Sequence, residues 1–270
     1  MFRWHSTLGP PAPGRPVIEA WFTGRDEGVG AAPYAGINLG GHVGDQAKVV
    51  EANRSALAAA VGVPRDRLLF MAQVHGTTVL EVSAPWTGQA PNADGIVTTA
   101  TDLALAVLVA DCVPILLLDE SAGVIGAVHA GRPGMGAGIV LQALERMRGL
   151  GAEQIVAVVG PSVCGRCYEV PAAMAQEAAG RSPASAARSW TGTHAIDVAA
   201  GVVEQLSTEG VAVQWLSGCT REDPDLYSYR RDGRTGRFAG IIVRRSARDG
   251  PAPRGNRAGQ DRAGSPGTAH

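Results

Sequence analysis

Two neighbouring segments constrain the fold of this chain more than any other feature. Leu103–Val109 and Ile115–Leu118 are continuously apolar, which is typical of strands buried on both faces. Asp111, Cys112 and Pro114 separate them, so the combined stretch is too short and too broken to span a bilayer. The pattern therefore predicts two strands in the interior of a globular protein.

Strand and helix patterns are mixed along the rest of the chain. Apolar residues at helical spacing follow Asp45, Pro171 and Asp197, which can each begin a helix. Several strands follow one another directly, so we expect a mixed α/β, that is α+β, layered sandwich and not a doubly wound sheet. Further predicted strands cover Val17–Thr23, Leu68–Met71, Thr78–Val82, Ile96–Thr99, Val124–Val128, Ile155–Val159, Val211–Leu216 and Phe238–Val243.

The two ends of the chain lack a periodic apolar pattern. Residues 1–16 indicate a flexible N-terminal arm without the apolar segment of a secretory signal, and residues 247–270 indicate a disordered tail. The intervening residues, 17–246, are predicted to form a single catalytic domain. We expect a cytoplasmic protein, whose four cysteines are thiols, ligands or nucleophiles before disulfides.

Charge and aromatic content exclude some classes of partner. The formal net charge is −1 at pH 7, and aromatic residues make up 5% of the chain. There is thus no overall basic field to attract nucleic acid or an anionic membrane, and few aromatic rings on which single strands could stack. We expect no nucleic-acid or membrane partner, and a monomer is the default expectation.

Three reactive residues end or follow apolar runs. His75, Cys112 and His129 each lie at such a position, and a glycine follows closely after both histidines. Two imidazoles and one thiolate make a three-ligand zinc set that leaves a fourth position for water or substrate. Two other interpretations stay open, because the spacing matches no compact zinc signature. The residues can be ordinary buried or hydrogen-bonded side chains, or Cys112 can be a nucleophile with a histidine base.

Three further motifs have both a functional and a structural interpretation. Cys164 and Cys167 form a C-x-x-C pair, which can be a redox pair or half of a zinc knuckle. Cys219 stands alone, so a second pair is missing, and this favours the third interpretation of two loop thiols. The segment Arg230–Arg237 can bind phosphate or carboxylate, or can be a solvated turn. The Gly-rich loop Ile37–Asp45 can present backbone N–H groups to an anion.

Taken together and in this order, the motifs resemble the multicopper polyphenol oxidase or laccase-domain family. Its members are described as purine nucleoside phosphorylases with adenosine deaminase side activity. The resemblance extends from about Phe22 to Val243. The matching segments are Asn38-Leu39-Gly40, His42-Val43-Gly44-Asp45, Asn53-Arg54, Gln73-Val74-His75-Gly76, Ala93-Asp94-Gly95, Ala110-Asp111-Cys112-Val113-Pro114, His129-Ala130-Gly131, Gly160-Pro161, Tyr168-Glu169-Val170, Cys219-Thr220, Tyr227-Ser228-Tyr229-Arg230-Arg231-Asp232 and Thr235-Gly236-Arg237.

The resemblance implies a layered αββα fold and zinc bound by His75, Cys112 and His129. It implies that adenosine, inosine or methylthioadenosine reacts with phosphate to give the base and ribose 1-phosphate, with adenosine deamination as a side activity. Copper can bind the same ligands in vitro. The chain lacks the paired His-x-His runs of a trinuclear copper cluster, so it is not a cupredoxin laccase.

The sequence departs from the family pattern at two places near the expected phosphate site. The family has Ala-Gly-Trp-Arg-Gly after the second histidine, where this chain has Ala130-Gly131-Arg132-Pro133-Gly134, and it has adjacent Thr-Arg where this chain has Thr23-Gly24-Arg25. Phosphate binding is therefore less strongly implied than metal binding. The candidate phosphate or substrate ligands are Arg25, Asn38, Arg230 and Arg231, and the candidate acid–base or ligand-supporting groups are Asp94, Asp111 and Glu169.

Two alternative functions stay open. Cys112 with His75 or His129 can hydrolyse an amide, for example in a peptidoglycan precursor, since some relatives are called peptidoglycan editing factors. A non-enzymatic small-molecule binding protein is the second alternative.

Overall fold

The computed structural model describes residues 1–8 and 16–246, and it has the predicted mixed α+β architecture of four layers in the order αββα. The strands are β1 Phe2–Leu8, β2 Ile18–Thr23, β3 Leu68–Phe70, β4 Val79–Glu81, β5 Gly95–Thr98, β6 Ala104–Val109, β7 Val113–Asp119, β8 Val124–Ala130, β9 Val156–Val159, β10 Ala186–Arg188, β11 His194–Ile196, β12 Ala212–Trp215 and β13 Phe238–Arg244. The helices are α1 Ala47–Val61, α2 Arg132–Ala137, α3 Ile139–Gly149, α4 Ala172–Arg181, α5 Val198–Thr208 and α6 Tyr229–Asp232.

The first sheet has five strands in the order β1-β2-β13-β6-β3. Only β3 and β6 run parallel to each other, and the other neighbours are antiparallel. Helix α1 covers the outer face of this sheet through Leu57, Ala58 and Val61, which pack with Trp21 and Leu68. This apolar contact forms the first helical layer.

The second sheet has six strands in the order β12-β9-β7-β8-β5-β4. Its outer face packs against α2 to α5, with Ile139, Leu144 and Val202 at zero exposure among the contributing side chains. The inner faces of the two sheets pack on each other through residues such as Phe22, Leu116 and Phe238. The core of the protein is therefore a pair of sheets covered by helices on both sides.

Strands β6 and β7 confirm the prediction made from the apolar segments, because every residue in both is buried. They lie in different sheets. The short connection that contains Asp111 and Cys112 therefore crosses from the five-stranded sheet to the six-stranded sheet. This crossing brings polar residues to the end of the sandwich where both sheets contribute side chains.

The N-terminal residues differ from the expected arm. Phe2–Leu8 form an edge strand paired with β2, because Phe2 and Trp4 pack against Trp21 and Phe22 with ring centroids 6.0 and 5.6 Å apart. Residues 9–15 of the expected arm, and the expected tail at residues 247–270, lie outside the described residues.

Of two predicted helix starts, the one at Asp197 is confirmed and the one at Asp45 is off by one residue. Asp197 caps α5 by accepting the Ala200 N–H at 2.9 Å. Helix α1 has Gln46 and not Asp45 at its cap position, with no side-chain capping hydrogen bond. Within the described residues, no helix is both long enough and apolar enough to cross a membrane.

Candidate metal centre and substrate cavity

Three strand ends bring the predicted ligands together. His75 follows β3 with a positive φ of 60°, Cys112 lies between β6 and β7, and His129 is the penultimate residue of β8. One ligand atom from each lies within 4.8 Å of the others. The Cys112 Sγ to His75 Nε2 distance is 3.6 Å, and the two imidazole rings meet edge to face with centroids 4.8 Å apart.

Asp94 orients the imidazole of His129 and holds the backbone of His75. It is fully buried, and its Oδ1 accepts hydrogen bonds from His129 Nδ1 at 2.8 Å and from the His75 N–H at 3.0 Å. Its Oδ2 accepts the Gly76 N–H at 2.7 Å. Burial alone would raise the pKa of Asp94, but the hydrogen bonds from His129 and Gly76 outweigh it and lower that pKa. Asp94 therefore stays a carboxylate and leaves His129 Nε2 for the cluster.

Cys112 and His129 shift each other's pKa. Burial would raise the pKa of the Cys112 thiol, but the charge and hydrogen bonds of the two histidines outweigh burial and lower it to about 6. Burial would lower the pKa of His129, but Cys112 and Asp94 together raise it to about 9. In the metal-free protein the pair is thus a thiolate and an imidazolium at neutral pH.

The donor set fits a zinc ion. Two imidazoles and one thiolate are borderline-soft ligands that suit zinc and also copper. The backbone of Gly131 closes one side of the cluster, because a Cβ there would lie 2.5 Å from His75 Cδ2 and 3.2 Å from Cys112 Sγ. Three protein ligands leave one position of a tetrahedral ion for solvent or substrate.

The cluster opens into a cavity of about 590 Å³. This volume is in the usual range for sites that bind small molecules. Residues from both sheets and from the loops beyond them form the walls. The lining residues are His42, Gln73, His75, Leu108, Val109, Ala110, Asp111, Cys112, His129, Arg132, Val163, Tyr168, Val198, Tyr229, Arg230 and Arg237.

The three arginines proposed for phosphate binding occupy different environments. Arg230 lines the cavity, and its guanidinium lies 4.6 Å from the centroid of the Tyr168 ring. Arg231 points its guanidinium at backbone carbonyls, including that of Leu226 at 2.7 Å, and does not line the cavity. Arg25 lies over the Tyr227 ring at 5.1 Å, also outside the lining.

Asn38 lies behind the cavity wall. It is fully buried, and its Oδ1 accepts the N–H groups of Gly40 and Arg237, both at 2.9 Å. Asn38 therefore positions the backbone of Arg237, whose side chain does line the cavity. Arg237 is not among the phosphate ligands predicted from the sequence, although it ends the Thr235-Gly236-Arg237 motif that carries part of the family resemblance.

The two remaining carboxylates also differ. Asp111, with a positive φ of 95°, accepts the Thr220 hydroxyl and the Arg230 N–H, both at 2.6 Å. It thereby fixes the start of the segment that carries Arg230. Glu169 is exposed and is not among the cavity-lining residues.

Several cavity residues were not selected from the sequence. His42 lines the cavity, and burial followed by the charge of Arg237 lowers its pKa, so its imidazole is neutral at pH 7. Gln73 holds the cavity wall by bonding both the N–H and the carbonyl of Leu108, at 2.8 and 2.7 Å. Arg132 lines the cavity as well. The sequence signals for His42 and Gln73 were the motifs that contain them.

Comparisons with known proteins agree on one family. The family described as multi-copper polyphenol oxidoreductase laccase matches residues 19–245. A Streptomyces coelicolor protein named purine nucleoside phosphorylase is 52% identical over 225 residues, which cover 82% of this chain and 93% of that protein. A Deinococcus radiodurans protein of the same name is 40% identical over 259 residues, which cover 89% of this chain and 98% of that protein.

Solved structures match the fold. A Neisseria meningitidis protein superposes with a TM-score of 0.78 at 31% sequence identity, covering 89% of this chain and 99% of the other. The protein YlmD from Geobacillus stearothermophilus superposes with a TM-score of 0.76 at 28% identity, covering 89% of this chain and 100% of the other. The layered architecture is therefore shared along nearly the whole length of these proteins.

Proposed function

Because the chain belongs to the multi-copper polyphenol oxidoreductase laccase family, we propose that it is a zinc-dependent purine nucleoside phosphorylase. Similarity to relatives with that name supports a transferase-type enzyme. The observation that carries the proposal is a single cavity of about 590 Å³ lined by the three candidate zinc ligands and by Arg230 and Arg237. Adenosine and inosine are the proposed substrates, methylthioadenosine is a further candidate, and adenosine deamination is the proposed side activity.

In phosphorolysis, a phosphate oxygen bonds to C1′ of the ribose while the bond from C1′ to the purine nitrogen breaks. The electron pair of that bond goes to the base, and the proton lost by phosphate balances the proton gained by the base. Arg230 and Arg237 would hold the phosphate by charge-assisted hydrogen bonds, and Arg132 is a third cation on the same cavity. Asp111 fixes the backbone of Arg230.

The purine would contact the neutral side of the cavity. His42 presents a neutral imidazole, which can donate or accept one hydrogen bond to the base. Tyr229 and Tyr168 supply aromatic surface on the same cavity. Zinc bound by His75, Cys112 and His129 would supply Lewis acidity there, and Asp94 would keep His129 in its ligating orientation.

The test is an assay of metal-quantified protein with adenosine, with and without phosphate, that follows adenine, hypoxanthine and ribose 1-phosphate. We expect base release that depends on phosphate and is lost in Cys112→Ala. Arg230→Ala should raise the KM for phosphate, whereas Arg146→Ala, an exposed arginine on α3, should not. Zinc-loaded protein that gives no product from any nucleoside would rule out the phosphorylase.

One observation favours a second candidate, a hydrolase with Cys112 as nucleophile. The thiol has a pKa lowered to about 6 and lies 3.6 Å from His75 Nε2. A zinc-bound thiolate is a poor attacking group, so the metal decides between the two candidates. Hydrolysis of a peptidoglycan-precursor amide by stripped protein, inhibited by added zinc, would favour the hydrolase. A non-enzymatic binding protein would turn over no nucleoside either as wild type or as His75→Ala.

We also propose a single catalytic domain at residues 17–246 that acts as a monomer in the cytoplasm. The cavity residues that form the proposed site come from both sheets of this domain. None of the four cysteines, all of which lie in the described residues, forms a disulfide, as is usual in a reducing compartment. No nucleic-acid or membrane partner is part of the proposal.

A further inference from the structure

A second cluster of metal-binding side chains lies apart from the candidate metal centre. It consists of Cys164, Cys167, Cys219 and Glu222, and one ligand atom from each lies within 4.8 Å of the others. In the sequence the C-x-x-C pair lacks a second pair. In the fold, Cys219 and Glu222 lie beside this pair and form a C-x-x-E pair with the same spacing.

Both pairs lie on tight turns of the same kind. The N–H of Cys167 donates to the carbonyl of Cys164 at 3.0 Å, and the N–H of Glu222 donates to the carbonyl of Cys219 at 3.1 Å. A parallel bridge between Ser162 and Cys219 holds the two turns side by side. The second member of each pair is thus folded back toward the first, and four donor atoms converge on one point.

The sulfur and carboxylate atoms are already oriented by neighbours. The N–H of Cys164 donates to Cys219 Sγ at 3.4 Å, and Trp190 Nε1 donates to Glu222 Oε1 at 3.2 Å. Cys167 Sγ lies 3.1 Å from the same Glu222 oxygen. The bond from Trp190 comes from outside the cluster, and a hydrogen bond of that kind is characteristic of a side chain that holds a metal.

The distances suit one tetrahedral ion. With Zn–S bonds of about 2.3 Å, the ligand atoms of a tetrahedral site lie about 3.8 Å apart, which is compatible with the 4.8 Å limit of this cluster. Three thiolates and one carboxylate are a soft donor set that selects zinc over magnesium or calcium.

We propose that Cys164, Cys167, Cys219 and Glu222 bind a structural zinc ion. The protein fills all four positions, so the ion has no open site for substrate, in contrast to the three-ligand centre. It would join the loop after β9 to the loop after β12. Tyr168 follows Cys167 directly and lines the cavity, so the ion would also brace one cavity wall.

The test uses the full chain, expressed in zinc-supplemented medium, with zinc counted per chain by plasma mass spectrometry. We expect about two zinc ions in the wild type and about one in Cys112→Ser, because that change removes a ligand of the other site only. The double variant C164S/C219S should also keep about one ion, held by the three-ligand centre. Given the proposed phosphorylase activity, loss of the second ion should also raise the KM for adenosine, because Tyr168 lines the cavity.

Two results would overturn the proposal. One is Cys112→Ser protein that carries no zinc. The other is a disulfide between two of these cysteines, found by mass spectrometry of unreduced wild-type protein. If C164S/C219S does not fold, cobalt-loaded Cys112→Ser decides the question, because three thiolates on one cobalt ion give an intense charge-transfer absorption that Glu222→Gln should shift. The adenosine assay tests the phosphorylase separately, so failure of either proposal can be distinguished.

Discussion

Two neighbouring histidines, His75 and His129, lower the pKa of the Cys112 thiol. Its pKa of about 6 in the metal-free protein is well below the value of about 8.5 for an unperturbed thiol. In metal-stripped protein, the rate of Cys112 alkylation by iodoacetamide should therefore stay high as pH falls and be halved only near pH 6. Peptide mass spectrometry identifies the modified cysteine. A midpoint near 8.5, equal to that of the urea-unfolded chain, would contradict the predicted thiolate, and bound zinc should protect Cys112.

Gly131 determines how closely the backbone approaches the three ligands. Its φ is −78°, so an alanine there is not strained by its backbone. The added methyl group would instead lie 2.5 Å from His75 Cδ2 and displace that ring. Gly131→Ala should lower zinc affinity at least about tenfold, as the loss of a group that orients a ligand does, and reduce phosphorolysis with it. Gly136→Ala in the adjacent helix α2 is the matched control, because its Cβ meets no atom within 4 Å. Equal zinc affinity in the two variants would contradict this interpretation.

At the scale of secondary-structure elements, Asp119 connects three parts of the six-stranded sheet. It ends β7 and is 1% exposed. Its Oδ1 accepts the Ser121 hydroxyl at 2.7 Å and the Ala122 N–H at 3.0 Å in the turn before β8. Its Oδ2 accepts the N–H groups of Glu153 and Gln154, both at 2.7 Å, before β9. Burial would raise the pKa of Asp119, but these hydrogen bonds outweigh it and lower the pKa to about 2.

Asp119→Asn should lower the free energy of unfolding by about 1–3 kcal/mol at pH 7, because the amide cannot accept all four hydrogen bonds. A carboxylate with a lowered pKa stabilises the fold above its ordinary pKa of about 3.9, and this contribution is lost as pH falls toward the folded value. The difference between wild type and variant should therefore shrink between about pH 4 and pH 2. Urea unfolding measures both effects. Glu120→Gln, at the exposed neighbouring position, is the control and should change stability little. A difference that stays constant with pH would contradict the role of the ionised carboxylate.

Elements marked by an apolar run could be predicted from the sequence, including the three-residue strands β3 and β4, whereas elements without such a run, including the seven-residue strand β1, could not. The continuous apolar runs of β6 and β7 predict strands buried on both faces, and every residue of both strands is buried. The β10–β11 hairpin has three residues in each strand, and α2 begins with Arg132-Pro133-Gly134, so neither has enough residues to show a period.

The same distinction separates the two candidate metal sites. His75, Cys112 and His129 could be selected because each ends or follows an apolar run. Cys219 could not be joined to Cys164, because their approach depends on the parallel pairing of β12 with β9. That pairing is a non-local contact, and no local pattern in the sequence predicts it.

At the scale of the whole molecule, one aromatic ring joins the two sheets. Phe22 on β2 is fully buried, and it occupies space left by Gly160 after β9 and by Gly240 on β13. A Cβ at Gly160 would lie 2.3 Å from Phe22 Cε1, and one at Gly240 would lie 2.7 Å from the same atom. The ring therefore packs directly on the backbones of both sheets. Since the candidate ligands also come from both sheets, we expect zinc binding at the candidate metal centre to need this contact intact.

Phe22→Ala should lower the free energy of unfolding by about 3–5 kcal/mol, because it leaves a cavity between layers that cannot close. Trp215→Ala removes an aromatic ring that is 48% exposed on the edge strand β12, and it should change stability by no more than about 0.5 kcal/mol. Circular dichroism and release of zinc to a chromogenic chelator, followed through the same urea titration, should give coincident transitions in the wild type and in Phe22→Ala. Release of zinc well before loss of secondary structure would mean that the sheets separate while each stays folded. In that case the interface around Phe22 would not hold the two halves of the metal centre together.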